Sequence, residues 1–153
     1  MKSSANRNFL AASLSFAWDT FGEYLSGTQG SLLCARSQTP LSDTAKHALE
    51  SSAAALGFGQ KGCTYVNLQA NAEDGTLGAN DLRMIVEAID PESLIACDAQ
   101  SASMLSHGYG TEVATNKANR VLGRTCIAFV GLEDMLDTSE SKQKVWALLK
   151  KLK

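Results

Sequence analysis

Pro91-Glu-Ser-Leu-Ile-Ala-Cys-Asp-Ala-Gln-Ser-Ala-Ser-Met-Leu105 reads as a strand that turns directly into a helix. Ser93 to Asp98 is a short apolar run without alternation, as expected of a strand buried on both faces. Asp98 then stands where a carboxylate caps free backbone N–H groups and complements a helix dipole, opening the segment Ala99 to His107. Three more runs of the same kind occur, at Ser31 to Arg36, Cys63 to Gln69 and Thr125 to Val130. Between them lie stripes of helical period, Ala45, Leu49, Ala53 and Leu56 in one segment and Leu82, Ile85, Val86 and Ile89 in another. Such alternation is the signature of repeated β-α units.

The helix boundaries have local chemistry. Ser42 and Asp43 open the first stripe and Gly57 closes it; Asn80 and Asp81 open the second and Asp90-Pro91 ends it. An N-terminal helix carries Phe9, Leu10, Leu14, Trp18, Phe21 and Leu25, and a C-terminal one carries Val145, Leu148, Leu149 and Leu152. A weak edge strand is expected around Thr111 to Thr115. The expected architecture is an α/β fold, a three-layer α/β/α sandwich around a mainly parallel sheet of four to five strands. Residues 1–153 form it as one domain, with no linker or repeat to divide them.

The bulk composition narrows the classes. The chain has 153 residues, 44% of them hydrophobic, which suits an ordinary globular core. A formal charge of −2 argues against coating nucleic acid by bulk electrostatics. The balance is uneven, however: Thr111 to Lys153 holds eight Lys or Arg against five Asp or Glu. Lys117, Arg120, Arg124, Lys142, Lys144, Lys150, Lys151 and Lys153, with Trp146 among them, give a weak nucleic-acid hint that a solvated helix face explains better. The apolar stretch Phe9 to Trp18 lacks a cleavage site and is soon followed by Asp19 and Glu23, so it reads as a core helix and not as a signal or membrane span. The expectation is a cytoplasmic protein without a membrane partner.

In open α/β sheets, ligands bind beyond the carboxyl ends of the strands, where the strand order reverses. That rule selects Arg36, Ser37, Gln38 and Thr39 after the first run, Asn67, Gln69 and Asn71 after the second, Asp98, Gln100 and Ser101 after the third, and Gly131 after the fourth. Arg36, Gln38, Asn67 and Asp98 are the expected ligand contacts, because a guanidinium followed by polar turn residues holds a phosphate or carboxylate well. The alternative is an arginine that snorkels to solvent or pairs with a nearby carboxylate such as Asp98. Cys34, Cys63, Cys97 and Cys126 are spread one per run, a pattern of buried thiols more than of a metal knuckle or a disulfide framework. His47 and His107 fit a helix surface and a helix C-terminus. No catalytic residue, cofactor or metal is called for by any motif.

Three stretches taken together resemble the uracil-DNA glycosylase superfamily: the polar turn ending in Thr39-Pro40, the run Cys63-Thr-Tyr-Val-Asn67, and Pro91 to Leu105. The resemblance spans roughly Ser31 to Val130 in layout. It implies the same fold, but not base excision. The family's water-activating carboxylate or asparagine is replaced by Arg36-Ser37-Gln38-Thr39, and its histidine-bearing loop by Gly131-Leu132-Glu133-Asp134. A catalytically diverged domain for a small anionic or nucleotide-like ligand is thus the leading expectation. A non-enzymatic interaction module using the helix around Trp146 is the second. An enzyme whose site is assembled only in space, for instance Asp98 with Ser37 or Cys34, is the third.

Overall fold

The computed structural model describes residues 16–28, 30–37, 41–59, 62–69 and 77–152. The four apolar runs form strands β2 (Leu32–Arg36), β3 (Cys63–Asn67), β4 (Ser93–Ala96) and β6 (Arg124–Ala128). Two edge strands complete the sheet, β1 (Leu25–Gly27) and β5 (Lys117–Val121). Besides the helical residues 16–21, the α-helices are α1 (Asp43–Ala55), α2 (Ala79–Ile89), α3 (Ala99–Tyr109), the single turn α4 (Leu132–Met135) and α5 (Ser139–Leu149). The sheet has six strands in the order β1-β3-β2-β4-β6-β5. Its four inner strands are parallel and its two edges pair antiparallel.

Continuous apolar runs become inner strands because both of their faces are covered. Leu33, Val66, Leu94, Ala96, Cys126 and Ala128 enter one buried cluster with the apolar stripes of α2 and α3. Their neighbours in sequence, Leu32, Cys34, Tyr65, Ile95 and Ile127, enter the other cluster with α1 and α5. The helix stripes bury as their spacing demands: Ala45, Leu49 and Ala53 on α1, and Leu82, Ile85, Val86 and Ile89 on α2. Gly108 permits the close approach of α3 to α2, since a Cβ there would lie 2.8 Å from the Ala79 carbonyl oxygen.

The helix ends read from the sequence hold at Ser42 and Asp90 and shift at the start of α2. Ser42 caps α1 by accepting from the Ala45 amide, and Asp90 ends α2 in the left-handed region. The start of α2 lies earlier than Asn80 and Asp81: Gly78 is its N-cap, and Asp81 reaches back to accept from the Gly78 amide at 3.0 Å.

Three expectations require correction. The sheet has six strands, not four to five, because two short or polar edge segments pair antiparallel with apolar neighbours. Leu25 belongs to β1 and not to the N-terminal helix; Phe9, Leu10 and Leu14 lie outside the described residues, while residues 16–21 are helical. The edge strand is Lys117–Val121 and not Thr111 to Thr115. Asn119 explains the last difference. Its side-chain oxygen accepts from the Ala114 amide at 2.9 Å and its amide donates to the Ala114 carbonyl at 2.9 Å, so a side chain holds that segment where a ladder would otherwise be needed.

Candidate functional site

From β2 the chain crosses through α1 to β3 on one side, and then through α2 to β4 on the other. The order therefore reverses between β2 and β4, and a crevice is expected at their carboxyl ends. The residues that end these strands are Arg36 on β2 and Asn67 on β3, which are register partners, and Cys97 and Asp98 just past β4. Three of the four expected ligand contacts, Arg36, Asn67 and Asp98, thus share one end of the sheet. Gln38, with Thr39 and Asn71, lies outside the described residues.

Asp98 is the centre of a dense network. Its Oδ1 accepts from the Ser101 amide at 2.8 Å, and its Oδ2 accepts from the Ser37 amide at 3.0 Å and the Ser37 hydroxyl at 2.6 Å. The Asp98 amide donates to the Ser101 hydroxyl at 3.3 Å, which completes a reciprocal cap on α3. Arg36 adds an ion pair, Nη1 to Oδ2, at 3.6 Å. Burial works against the carboxylate, but the bonds from Ser37 and Ser101 outweigh it and hold Asp98 below the usual carboxylate range. A carboxylate this acidic and this occupied is a weak base. It also fills, with the chain's own charge, the anion position at the α3 N-terminus.

The neighbouring loops are stitched to this network. Asp98 forms an isolated bridge with Gly131, the Ala99 amide donates to Val130 at 3.1 Å, and the Leu132 amide donates to Cys97 at 2.9 Å. Glu133 accepts from the amide and hydroxyl of Ser42 at 3.1 and 3.0 Å, which ties the cap of α1 to α4. Asn67 accepts from the Gln69 amide at 3.3 Å and so shapes its own turn. The arginine reading left open by the sequence is thereby narrowed: Arg36 pairs with Asp98 across the switch point.

All four cysteines are buried free thiols. Cys97 lies one residue beyond β4, not within it. The two neighbouring thiols Cys34 and Cys63 influence each other: interaction with Cys63 and burial push Cys34 well up, while interaction with Cys34 pulls Cys63 down. Burial pushes Cys126 up to about 12. Cys63 pairs in register with Leu32, two residues before Cys34, so the two Cα atoms sit diagonally, about 8 Å apart from strand spacing and rise, beyond the reach of an unstrained disulfide. Among the described residues no group of three or more His, Cys, Asp or Glu side chains is placed to hold a metal ion.

Two arginines of the basic C-terminal third are held by acceptors within the fold. Arg124 bonds Glu87 at 2.8 Å, Asp90 at 2.6 Å and the Pro91 carbonyl at 2.9 Å, and Arg120 bonds the Thr125 hydroxyl and the Gly123 carbonyl, each at 2.9 Å. Trp146 is 37% exposed and borders a groove of about 340 Å³ between α1 and α5, with His47, Ser51 and Lys142. Among the described residues no helix is long and apolar enough to cross a membrane. No protein-family model matches the chain, and no curated protein matches it significantly. Sequence reasoning overlooked Lys46, which projects from α1 over Tyr65 and lines a small cavity with Arg36 and Asn67.

Proposed function

We propose that this chain is a catalytically diverged, uracil-DNA glycosylase-like domain that binds a small anionic or nucleotide-like ligand at the carboxyl ends of β2 and β3. The three-layer α/β/α sandwich and the cytoplasmic setting are part of this proposal, and four buried thiols suit a reducing compartment. One observation carries the reading: Arg36 and Asn67 are register partners at the end of the inner strands, beside the point where the strand order reverses. Asp98, saturated by Ser37 and Ser101, supports a binding role over acid-base chemistry at that point.

Thermal unfolding against nucleotides, free bases, single- and double-stranded DNA and simple anions tests it. A ligand at a hundredfold its dissociation constant adds about 2.7 kcal/mol. The proposal expects one ligand class to raise the melting temperature of the wild type and not of Arg36→Ala. A response that is unchanged in Arg36→Ala contradicts it.

The exposed Trp146 beside its groove favours a second reading, a protein-protein interaction module centred on α5. Val145, Leu149 and Leu152 of this C-terminal segment belong to the core, so the test must spare them. Trp146→Glu leaves those residues in place. Loss of a pull-down partner or of self-association in Trp146→Glu, with an unchanged melt, supports the second reading; unaltered association rejects it.

A further inference from the structure

Side chains alternate along a strand, so Cys34 and Arg36 on β2 and Tyr65 and Asn67 on β3 share the sheet face that α1 covers. Lys46, in the first turns of α1, lies over that corner. Its Nζ is 5.3 Å from the Tyr65 ring centroid, and the Tyr65 hydroxyl donates to the Lys46 carbonyl at 3.4 Å. An ammonium over an aromatic face is held by the ring quadrupole while its stem packs on the ring. Arg36, Lys46, Tyr65 and Asn67 line a cavity of about 20 Å³ with Cys34 and Leu41. That is enough for about one water-sized atom.

Among the described residues that line the cavity, Arg36 and Lys46 are cations and none is a carboxylate. Asp98 lies on the switch-point side of Arg36, engaged with Ser37 and Ser101. Glu50 lies one turn beyond Lys46 on α1, and its charge disfavours ionisation of Tyr65 and Cys63. An incoming anion is therefore repelled from the α3 N-terminus, where Asp98 already sits, and drawn to the β2–β3 side.

We propose that this cavity seats one oxygen of an oxyanion, a phosphate or a carboxylate, between Lys46 and Arg36, with the Asn67 side chain as the neutral contact. The inference rests on the carboxyl-end reading above and narrows its ligand class from nucleotide-like molecules in general to whatever presents such a group. The space admits an oxygen and not a base, so any larger body of the ligand stays outside. Asp98 is a positioning residue here, acting on the ligand only through its ion pair with Arg36.

The test is titration calorimetry and thermal unfolding with inorganic phosphate, acetate and uridine on the wild type, Lys46→Gln, Lys46→Arg and Arg36→Ala. Phosphate, acetate or both bind the wild type, at least tenfold more weakly to Lys46→Gln, with most of the affinity restored in Lys46→Arg; uridine does not bind. General salt stabilisation raises all variants alike and is thereby told apart. A response lost in Arg36→Ala but intact in Lys46→Gln overturns the seat and leaves the carboxyl-end reading standing. No response of the wild type to any ligand, in this set or the wider panel, overturns both. Should Lys46→Gln fold poorly, the wild type decides alone: phosphate must move the Tyr65 ring resonances, and an unmoved ring contradicts the proposal.

Discussion

The two ends of the parallel sheet each carry an arginine beside carboxylates, and they do different things with the same chemistry. At the amino end Arg124 reaches from β6 to Glu87 and Asp90 at the close of α2 and to the Pro91 carbonyl before β4. Burial would lower the Arg124 pKa, but the Asp90 and Glu87 contacts outweigh it and raise it. That cluster clamps three elements together. At the carboxyl end the carboxylate is the saturated partner: Asp98 caps α3 and gathers Ser37, while Arg36 also borders a cavity that Lys46 and Asn67 share. Arg124 fastens elements together, whereas Arg36, itself paired with Asp98, also borders a cavity that a second cation shares.

The comparison breaks most readily at Asp98. Asp98→Ala removes a helix cap and strands the Ser37 amide and hydroxyl, an expected loss of about 2–3 kcal/mol in denaturant unfolding. Arg124→Ala should cost less, about 1–2 kcal/mol, because Glu87 and Asp90 are 37% and 54% exposed and return to water. A larger loss for Arg124→Ala than for Asp98→Ala would mean that the amino-end clamp, not the carboxyl-end cap, holds the sheet.

Ser37→Ala is expected to cost about 1 kcal/mol and to raise the Asp98 pKa, read by carboxyl NMR titration. Acid separates the two ends as well. Asp98 is depressed in the fold, so its contribution is fully present above the ordinary carboxylate value of about 4 and fades as pH falls through the lower native value. Melting temperature followed downward from neutral pH should therefore fall less steeply below that point in Asp98→Asn than in the wild type. Parallel curves would show that Asp98 is not depressed. The smallest effect on stability is expected at the cavity: Lys46→Gln should change unfolding by less than about 1 kcal/mol, since the lysine is only partly buried and glutamine keeps much of its stem against the Tyr65 ring.

What the sequence reveals follows the same division. The inner strands are legible because Leu32 to Ala35 and Leu94 to Cys97 are continuous apolar runs, and the caps at Ser42 and Asp98 are legible because oxygen side chains precede helical stripes. The edges are not. β1 is three residues long, and Lys117-Ala-Asn-Arg-Val121 is mostly polar, so pairing with an apolar neighbour is what makes them strands. Arg36, Asn67 and Asp98 were reachable through the rule for strand ends. Lys46 was not, because its role comes from α1 crossing above Tyr65, a contact between residues 19 apart that no local period encodes. Arg124 was misleading for the same reason: in the sequence it joins a basic stretch, and in space Glu87 and Asp90 absorb it.

The decisive experiment is backbone amide shift mapping during titration with a nucleoside monophosphate. A ligand seated around the carboxyl ends of β2 and β3 gives its largest saturable shifts at Arg36, Ser37, Lys46, Asn67 and Leu68. Shifts concentrated instead at Ser51, Lys142 and Trp146, along the groove between α1 and α5, would contradict it.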